Sequence, residues 1–203
     1  LQLASQHSQA FESWYAHIPG LKVVMPATPA DAKGLLKSAI RDDDPVVFIE
    51  GEMLYNIKGE VPEGEHIVPL GQADVKREGG DVTLVCHSKS VAVSLKAAEQ
   101  LAKEDVNAEV LDLRTIRPLD IDAVLNSVAK THRCVVVEEG WPTCSISSEI
   151  IAICMTEGFD DLDAPVLRVT NEDVPLPYAA NLEKLALIKA EDVVAAAKAV
   201  CYR

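Results

Sequence analysis

Apolar positions along this chain alternate between a helical period and short continuous runs. Phe11, Trp14, Tyr15 and Ile18 fall on one face at helical spacing, and Pro19-Gly20 ends that helix. Residues 21–25 (LKVVM) read as a strand closed by Pro26. Thr28 then serves as N-cap, with Pro29 at the first helical position of a helix running through Ile40. A polar turn at 41–45 leads into a strand at 46–50. This strand–helix–strand unit is about 30 residues long, the size that pairs in parallel through a right-handed crossover. Residues 51–69 lose the pattern among charges, Gly59, Pro62 and Gly64, and read as a linker.

A second run begins at Leu70. Strands are predicted at 81–87, 108–113, 133–138 and 166–170, with helices at 91–104, 120–130, 147–157 and 190–202. Short apolar strands alternating with helices predict an α/β fold, with a mostly parallel sheet covered on both faces. The expected organisation is a partial α/β unit at 1–50, a linker at 51–69 and a second α/β domain at 70–203. A strand–helix–strand unit alone has unpaired edges and an apolar face. Residues 1–50 are therefore expected to be disordered, swapped or borrowing a partner. Leu1 reads as an interior start, since the chain opens in a mixed polar segment with no strand before it.

Composition narrows the function. Apolar residues make up 48% and charged residues 25%, which is globular rather than disordered. A net charge of −13 argues against a nucleic-acid partner and suits a basic protein partner. Five cysteines form no CxxC pair. Cys86, Cys134 and Cys154 sit in apolar runs, where a thiol behaves as a small hydrophobe, so a reducing compartment is expected. No stretch is apolar for long enough to span a membrane. Nothing like GxGxxG or GxxxxGK[ST] follows a predicted strand, which disfavours a generic nucleotide-binding domain.

A series of motifs runs through nearly the whole chain: Gln6-His7-Ser8-Gln9, Trp14-Tyr15, Pro19-Gly20-Leu21-Lys22-Val23-Val24, Asp31-Ala32-Lys33-Gly34-Leu35-Leu36 and Ala39-Ile40-Arg41-Asp42. It continues with Asp112-Leu113-Arg114-Thr115-Ile116-Arg117-Pro118-Leu119-Asp120, Glu138-Glu139-Gly140-Trp141-Pro142, Leu162-Asp163-Ala164-Pro165 and Asp173-Val174-Pro175-Leu176-Pro177-Tyr178-Ala179. In this order they resemble the carboxy-terminal part of the beta subunits of thiamine-diphosphate-dependent 2-oxo acid dehydrogenases of the pyruvate dehydrogenase type. The resemblance implies a partial pyrimidine-binding domain followed by a transketolase C-terminal-type three-layer α/β/α domain. It also implies oxidative decarboxylation of pyruvate with acetyl transfer to lipoamide. The beta subunits of branched-chain 2-oxo acid and acetoin dehydrogenases are the near alternatives. A non-catalytic dimerisation and docking module is the alternative of another class.

In that family the QHSQ histidine, here His7, lines the channel to thiamine diphosphate. An imidazole there can donate a hydrogen bond or proton to charged intermediates, or orient the lipoyl acceptor. The family's activating glutamate lies upstream of QHSQ and has no counterpart in this sequence. The diphosphate and Mg2+ belong to the alpha subunit. This chain alone is therefore expected to be inactive. The resemblance further implies a structural potassium ion held by main-chain oxygens at Ala39, Asp42 and Asp44, the last more often Asn in the family. Carbonyls left open at a helix end beside carboxylates also suit a hard cation. Asp163 and Arg203 are expected to meet the basic subunit-binding domain of the dihydrolipoyl acetyltransferase, and a second beta subunit is a further expected partner. Arg114, Arg117 and Trp141 are assigned to packing and subunit contacts. Glu138 and Glu139 are not expected to act as an acid/base pair, since adjacent residues at a strand end point to opposite faces. The family occurs in bacterial cytoplasm or the mitochondrial matrix.

Overall fold

A computed structural model describes residues 2–203. The first unit holds helix α1 (Glu12–Ala16), strand β1 (Lys22–Val24), helix α2 (Pro29–Arg41) and strand β2 (Val46–Phe48). The Thr28 hydroxyl accepts from the Asp31 N–H at 3.1 Å, as an N-cap should, and β1 and β2 pair in parallel. Leu35 of α2 packs with Val24 and with Val68, so the segment read as a linker closes over the helix. Gly34 makes that approach possible, since a Cβ there would lie 2.5 Å from the Val68 side chain. The same segment also contains a short 3-10 helix at Glu52–Asn56.

The second unit is a five-stranded sheet in the order β3-β5-β4-β7-β8: β3 (Asp74–Arg77), β4 (Val82–Cys86), β5 (Ala108–Asp112), β7 (Cys134–Val137) and β8 (Leu167–Val169). Strands β5, β4, β7 and β8 run parallel, and β3 joins β5 antiparallel at one edge. Every residue of β4, β5 and β7 is buried. Helices α3 (Ser90–Ala102) and α7 (Ala190–Val200) cover one face, through Val91, Leu101, Val193 and Val200. Helices α4 (Ile121–Thr131) and α5 (Ile146–Glu157) cover the other, through Val124, Val128 and Ile150. The result is the expected helix–sheet–helix sandwich. Beyond the elements expected from sequence, the structure adds β3, β6 (Thr115–Arg117) and helix α6 (Ala180–Ala186).

Strand β6 decides how the two units join. It follows β5 directly yet leaves that sheet and pairs antiparallel with β1, giving a three-stranded sheet in the order β2-β1-β6. The Met25 N–H donates to the Arg114 carbonyl at 2.8 Å, and Val23, Met25, Leu113 and Ile116 share one buried cluster. The amino-terminal unit therefore borrows an edge partner from the same chain. Side chains reinforce the joint. Arg114 donates to Asp31 Oδ1 at 3.2 Å and to the carbonyls of Gln72 and Ala73 at 3.0 and 3.1 Å. Lys76 Nζ sits 2.6 Å from carboxylate oxygens of both Asp31 and Asp74. Arg117 donates to the Ala16 carbonyl at 2.5 Å. Arg114 adopts φ 55°, a left-handed conformation that costs about 1–2 kcal/mol. Its own N–H compensates in part by donating to Asp112 Oδ1 at 3.1 Å.

All five cysteines are free, with Cys86, Cys134 and Cys154 buried as expected. The aromatic face of α1 stays on the surface: Trp14 is 71% exposed, and Glu12 is the buried residue of that helix. Among the described residues no helix is long and apolar enough to cross a membrane.

Two expected outcomes follow from this packing. A Cβ at Gly79 would lie 2.2 Å from the backbone of Ala108 and Glu109, which cannot yield without moving β5. Gly79→Ala is expected to destabilise the chain by about 1–3 kcal/mol or more, read as a lower urea midpoint. Burial also pushes the Asp112 carboxyl up to about 7, against the pull of Lys76 Nζ at 3.6 Å. Between the ordinary value of 3.8 and about 7, the folded chain binds more protons than the unfolded one. Stability therefore falls as pH rises through that window. Asp112→Asn keeps the acceptor for Arg114 and removes the penalty. Its urea midpoint relative to the parent should climb between about pH 4 and pH 7 and then level off.

Candidate functional site

A cleft of about 500 Å³ opens between the two sheets, lined by His7 at the end of the 3-10 turn Ser5–His7, the start of α1, the segments following β1 and β2, and the segment following β4. It lies outside the carboxyl ends of β4 and β7, where parallel α/β sheets place ligands. The Ser90 hydroxyl ties those two strand ends together. It accepts from the His87 N–H at 3.1 Å and lies 2.7 and 2.8 Å from the carbonyls of His87 and Val137.

His7 is exposed on the cleft wall. Its turn is braced by Gln9, whose side-chain amide donates to the Ser5 carbonyl at 2.5 Å. Opposite, Lys89 pairs with Glu139, and Trp141 donates from Nε1 to the Val174 carbonyl at 2.8 Å. Asn171, almost fully buried, holds this rim together. Its Nδ2 donates to the Glu139 carbonyl at 2.6 Å, its Oδ1 accepts from the Ile188 N–H at 3.2 Å, and its own N–H donates to the Gly140 carbonyl at 3.0 Å.

Beneath the cleft lies a group that sequence reasoning did not assemble. Glu12, His87 and Glu138 are all buried, and their ligand-type atoms lie within 4.8 Å of one another. His87 Nε2 is 3.8 Å from Glu12 Oε1. Burial disfavours the charged imidazole, but the Glu12 carboxylate outweighs it and the His87 pKa ends above its ordinary value. Burial likewise raises the Glu12 carboxyl, His87 outweighs that, and the net is below the ordinary carboxylate value. Glu138 Oε1 accepts from the Ser147 N–H at 2.8 Å, at the first turn of α5. Glu138 and Glu139 do diverge as adjacent strand-end residues must, one into this buried group and the other toward Lys89. They are not a pair, yet Glu138 has partners from two distant segments that no local spacing announces.

Apart from Trp141, the remaining expected positions lie away from the cleft. At the end of α2, Lys22 Nζ reaches both Asp42 carboxylate oxygens at 2.7 Å and Asp44 at 3.0 Å, and the Asp44 N–H donates to Asp42 Oδ1 at 2.9 Å. The Asp42 and Asp44 carboxylates hold the Lys22 ammonium and raise its pKa, and Lys22 lowers that of Asp42. The Ala39 carbonyl accepts from the Asp42 N–H at 3.4 Å. Asp163 pairs with Arg133 at 3.1 Å, and its carbonyl accepts from the Tyr202 hydroxyl at 3.0 Å. Arg203 donates to the carbonyls of Glu104 and Asp105 at 3.3 and 3.1 Å. Arg114 and Arg117 serve the joint between the sheets, as assigned, and Trp141 packs at the cleft rim.

Residues 71–193 match the transketolase C-terminal domain, and residues 1–58 match the transketolase pyrimidine-binding domain. The chain belongs to the transketolase C-terminal domain family. Similar members of wider provenance are the pyruvate dehydrogenase E1 component subunit beta of Rhizobium meliloti, 53% identical over 100% of this chain and 44% of that protein, and the mitochondrial subunit beta of Dictyostelium discoideum, 51% identical over 99% of this chain and 58% of that protein. The mitochondrial subunit beta-1 of Arabidopsis thaliana is 53% identical over 99% of this chain and 56% of that protein. The chain thus spans about half the length of the curated relatives it matches. A solved split-gene transketolase, described as an inactive beta4 tetramer, superposes with a TM-score of 0.80 over 98% of this chain and 63% of that one, at 24% identity. At that identity the likeness establishes the transketolase fold.

Because Asn171 satisfies two buried backbone groups, Asn171→Ala leaves the Glu139 carbonyl and the Ile188 N–H without these partners. A loss of about 1–3 kcal/mol is expected, measured by urea unfolding.

Proposed function

We propose that this chain is the carboxy-terminal part of the beta subunit of a pyruvate dehydrogenase, and that it supplies one wall of a composite site completed by an alpha subunit. The observation that carries this reading is identity of about half to pyruvate dehydrogenase beta subunits, sustained across the whole chain. The placement of His7 on the cleft between the two sheets supports it. The reaction is then oxidative decarboxylation of pyruvate with acetyl transfer to lipoamide, in bacterial cytoplasm or mitochondrial matrix.

The donor set of the cleft does not fit the diphosphate of thiamine diphosphate. Its walls carry Glu50, Glu52, Glu139 and Glu183, and Lys89 is already paired with Glu139. Carboxylates repel a diphosphate, and no glycine-rich turn opening a helix lines the cleft among the described residues. The cofactor's diphosphate and Mg2+ are therefore assigned to the alpha subunit. This chain contributes an imidazole at the wall, which holds or moves a proton at the substrate oxygen or at the lipoyl sulfur. Ala39, Asp42 and Asp44 fit a potassium ion only through main-chain oxygens, because Lys22 already occupies the carboxylates. Asp163 and the carboxy-terminal turn are linked through Tyr202 and offer one surface to a basic acetyltransferase domain.

The test measures pyruvate-dependent reduction of an artificial electron acceptor, with thiamine diphosphate and Mg2+, by this chain with and without a cognate alpha subunit. A full-length beta subunit from a relative serves as control. The chain alone is expected to be silent, and turnover by it would overturn the composite-site reading. In the alpha–beta assembly that carries this sequence, His7→Asn should lower turnover by about 10²–10⁴-fold if His7 transfers a proton. Loss with the artificial acceptor places His7 at the substrate, whereas loss with a lipoyl acceptor alone places it at the sulfur. Parental rates with both would remove His7 from the chemistry.

A further inference from the structure

The buried group beneath the cleft has the makeup of a metal centre. We propose that Glu12, His87 and Glu138 bind a divalent cation of the zinc class. Three ligands of mixed nitrogen and oxygen character come from three segments: the start of α1, the end of β4 and the end of β7. One imidazole with two carboxylates suits zinc better than magnesium or calcium, which prefer all-oxygen shells.

Two features separate this from an ordinary acidic cluster. First, His87 is only 3% exposed and Glu138 is 0% exposed, yet His87 Nδ1 and Glu138 Oε2 have no hydrogen-bond partner. Buried polar atoms are nearly always satisfied, so the orphaned Glu138 oxygen in this cluster marks a place for something that accepts a lone pair. Second, one carboxylate of the group and the His87 backbone are held in place. The Ser147 N–H holds Glu138 Oε1 at 2.8 Å, and Ser90 fixes the His87 backbone to the end of β7. Such outer contacts orient ligands toward a metal.

Glu12 and His87 also line the cleft, which gives a cation a route in from solvent. Zinc bonds of about 2.0–2.2 Å place ligand atoms roughly 3–4 Å apart. The present spread of up to 4.8 Å has to close by side-chain rotation when the cation binds. Three protein ligands leave one coordination position open, the arrangement of a site that can take water or a small ligand. Because Glu12 belongs to the amino-terminal unit and His87 and Glu138 to the five-stranded sheet, the cation would also pin the two together.

The experiment titrates the chelator-stripped chain with Zn2+ by calorimetry and with Co2+ by visible absorption, and follows melting with and without Zn2+. One equivalent of Zn2+, Co2+ bands of a nitrogen–oxygen site and a higher melting temperature are expected. Glu12→Gln and His87→Gln should each weaken binding at least tenfold. Glu138→Gln keeps an oxygen for the Ser147 N–H while removing the charge, and it serves where either of the others fails to fold. His7→Asn and Cys144→Ser, which remove the nearby exposed imidazole and the exposed thiol, should bind as the parent does. Absence of zinc uptake, or uptake that survives the Glu12, His87 and Glu138 variants, overturns the proposal. No turnover is measured, so either result leaves the pyruvate dehydrogenase reading where it stands.

Discussion

A two-stranded parallel sheet with one helix has bare edges, and a bare edge invites pairing with whatever strand is near. In this chain the near strand is its own. Strand β6 peels away from the end of β5 and lies antiparallel against β1, so the amino-terminal unit is completed by residues of the second unit, far along the chain. The rest of the structure depends on this pairing. It brings Arg114 to Asp31 and Arg117 to the Ala16 carbonyl, and it merges Val23 and Met25 with Leu113 and Ile116 in one apolar cluster. Charges at the joint are stabilising only because each has a partner. An unpartnered Arg114 beside buried backbone would cost several kcal/mol.

The joint also fixes the cleft. Residues His7 and Glu12 reach it from one side, while His87, Lys89 and Glu139 reach it from the other. Arg117 anchors the carboxy-terminal end of α1 through Ala16, so the orientation of that short helix, and of Glu12 within it, is set by a strand from the second unit. This explains an otherwise odd inversion, in which α1 buries its glutamate and leaves Trp14 on the surface. A carboxylate next to a buried imidazole finds a better environment inside than an indole without a matching pocket.

Periodicity made the layered fold legible, because the central strands are buried on both faces and read as continuous apolar runs. The cap at Thr28 was legible for a local reason, since capping involves residues three apart. What escaped was non-local or short. Strands β3 and β6 have four and three residues and mixed polarity, and β6 carries two arginines' worth of interdomain contacts at its borders rather than an apolar alternation. The motif containing it looked like packing, which was right, but nothing in it said which sheet it would join. His7 was singled out through resemblance alone, since one exposed histidine has no pattern. Glu138 was set aside by a sound rule about adjacent residues, which excluded a partnership with Glu139 and was silent on partners from β4 and α1.

Residues of the candidate site share one property: each gains its surroundings only when the two sheets meet. Lone Glu12 on a five-residue helix would face water, and His87 and Glu138 at the ends of parallel strands would be ordinary strand termini. Brought together, they are buried at a spacing that neither unit creates alone. The same holds for His7, whose turn has a wall to face only because the second unit supplies one. Burial of a polar group is tolerated where a second segment satisfies it, so a seam between units can concentrate charge that neither core would accept. The seam is thus the part of the fold where such charge can gather.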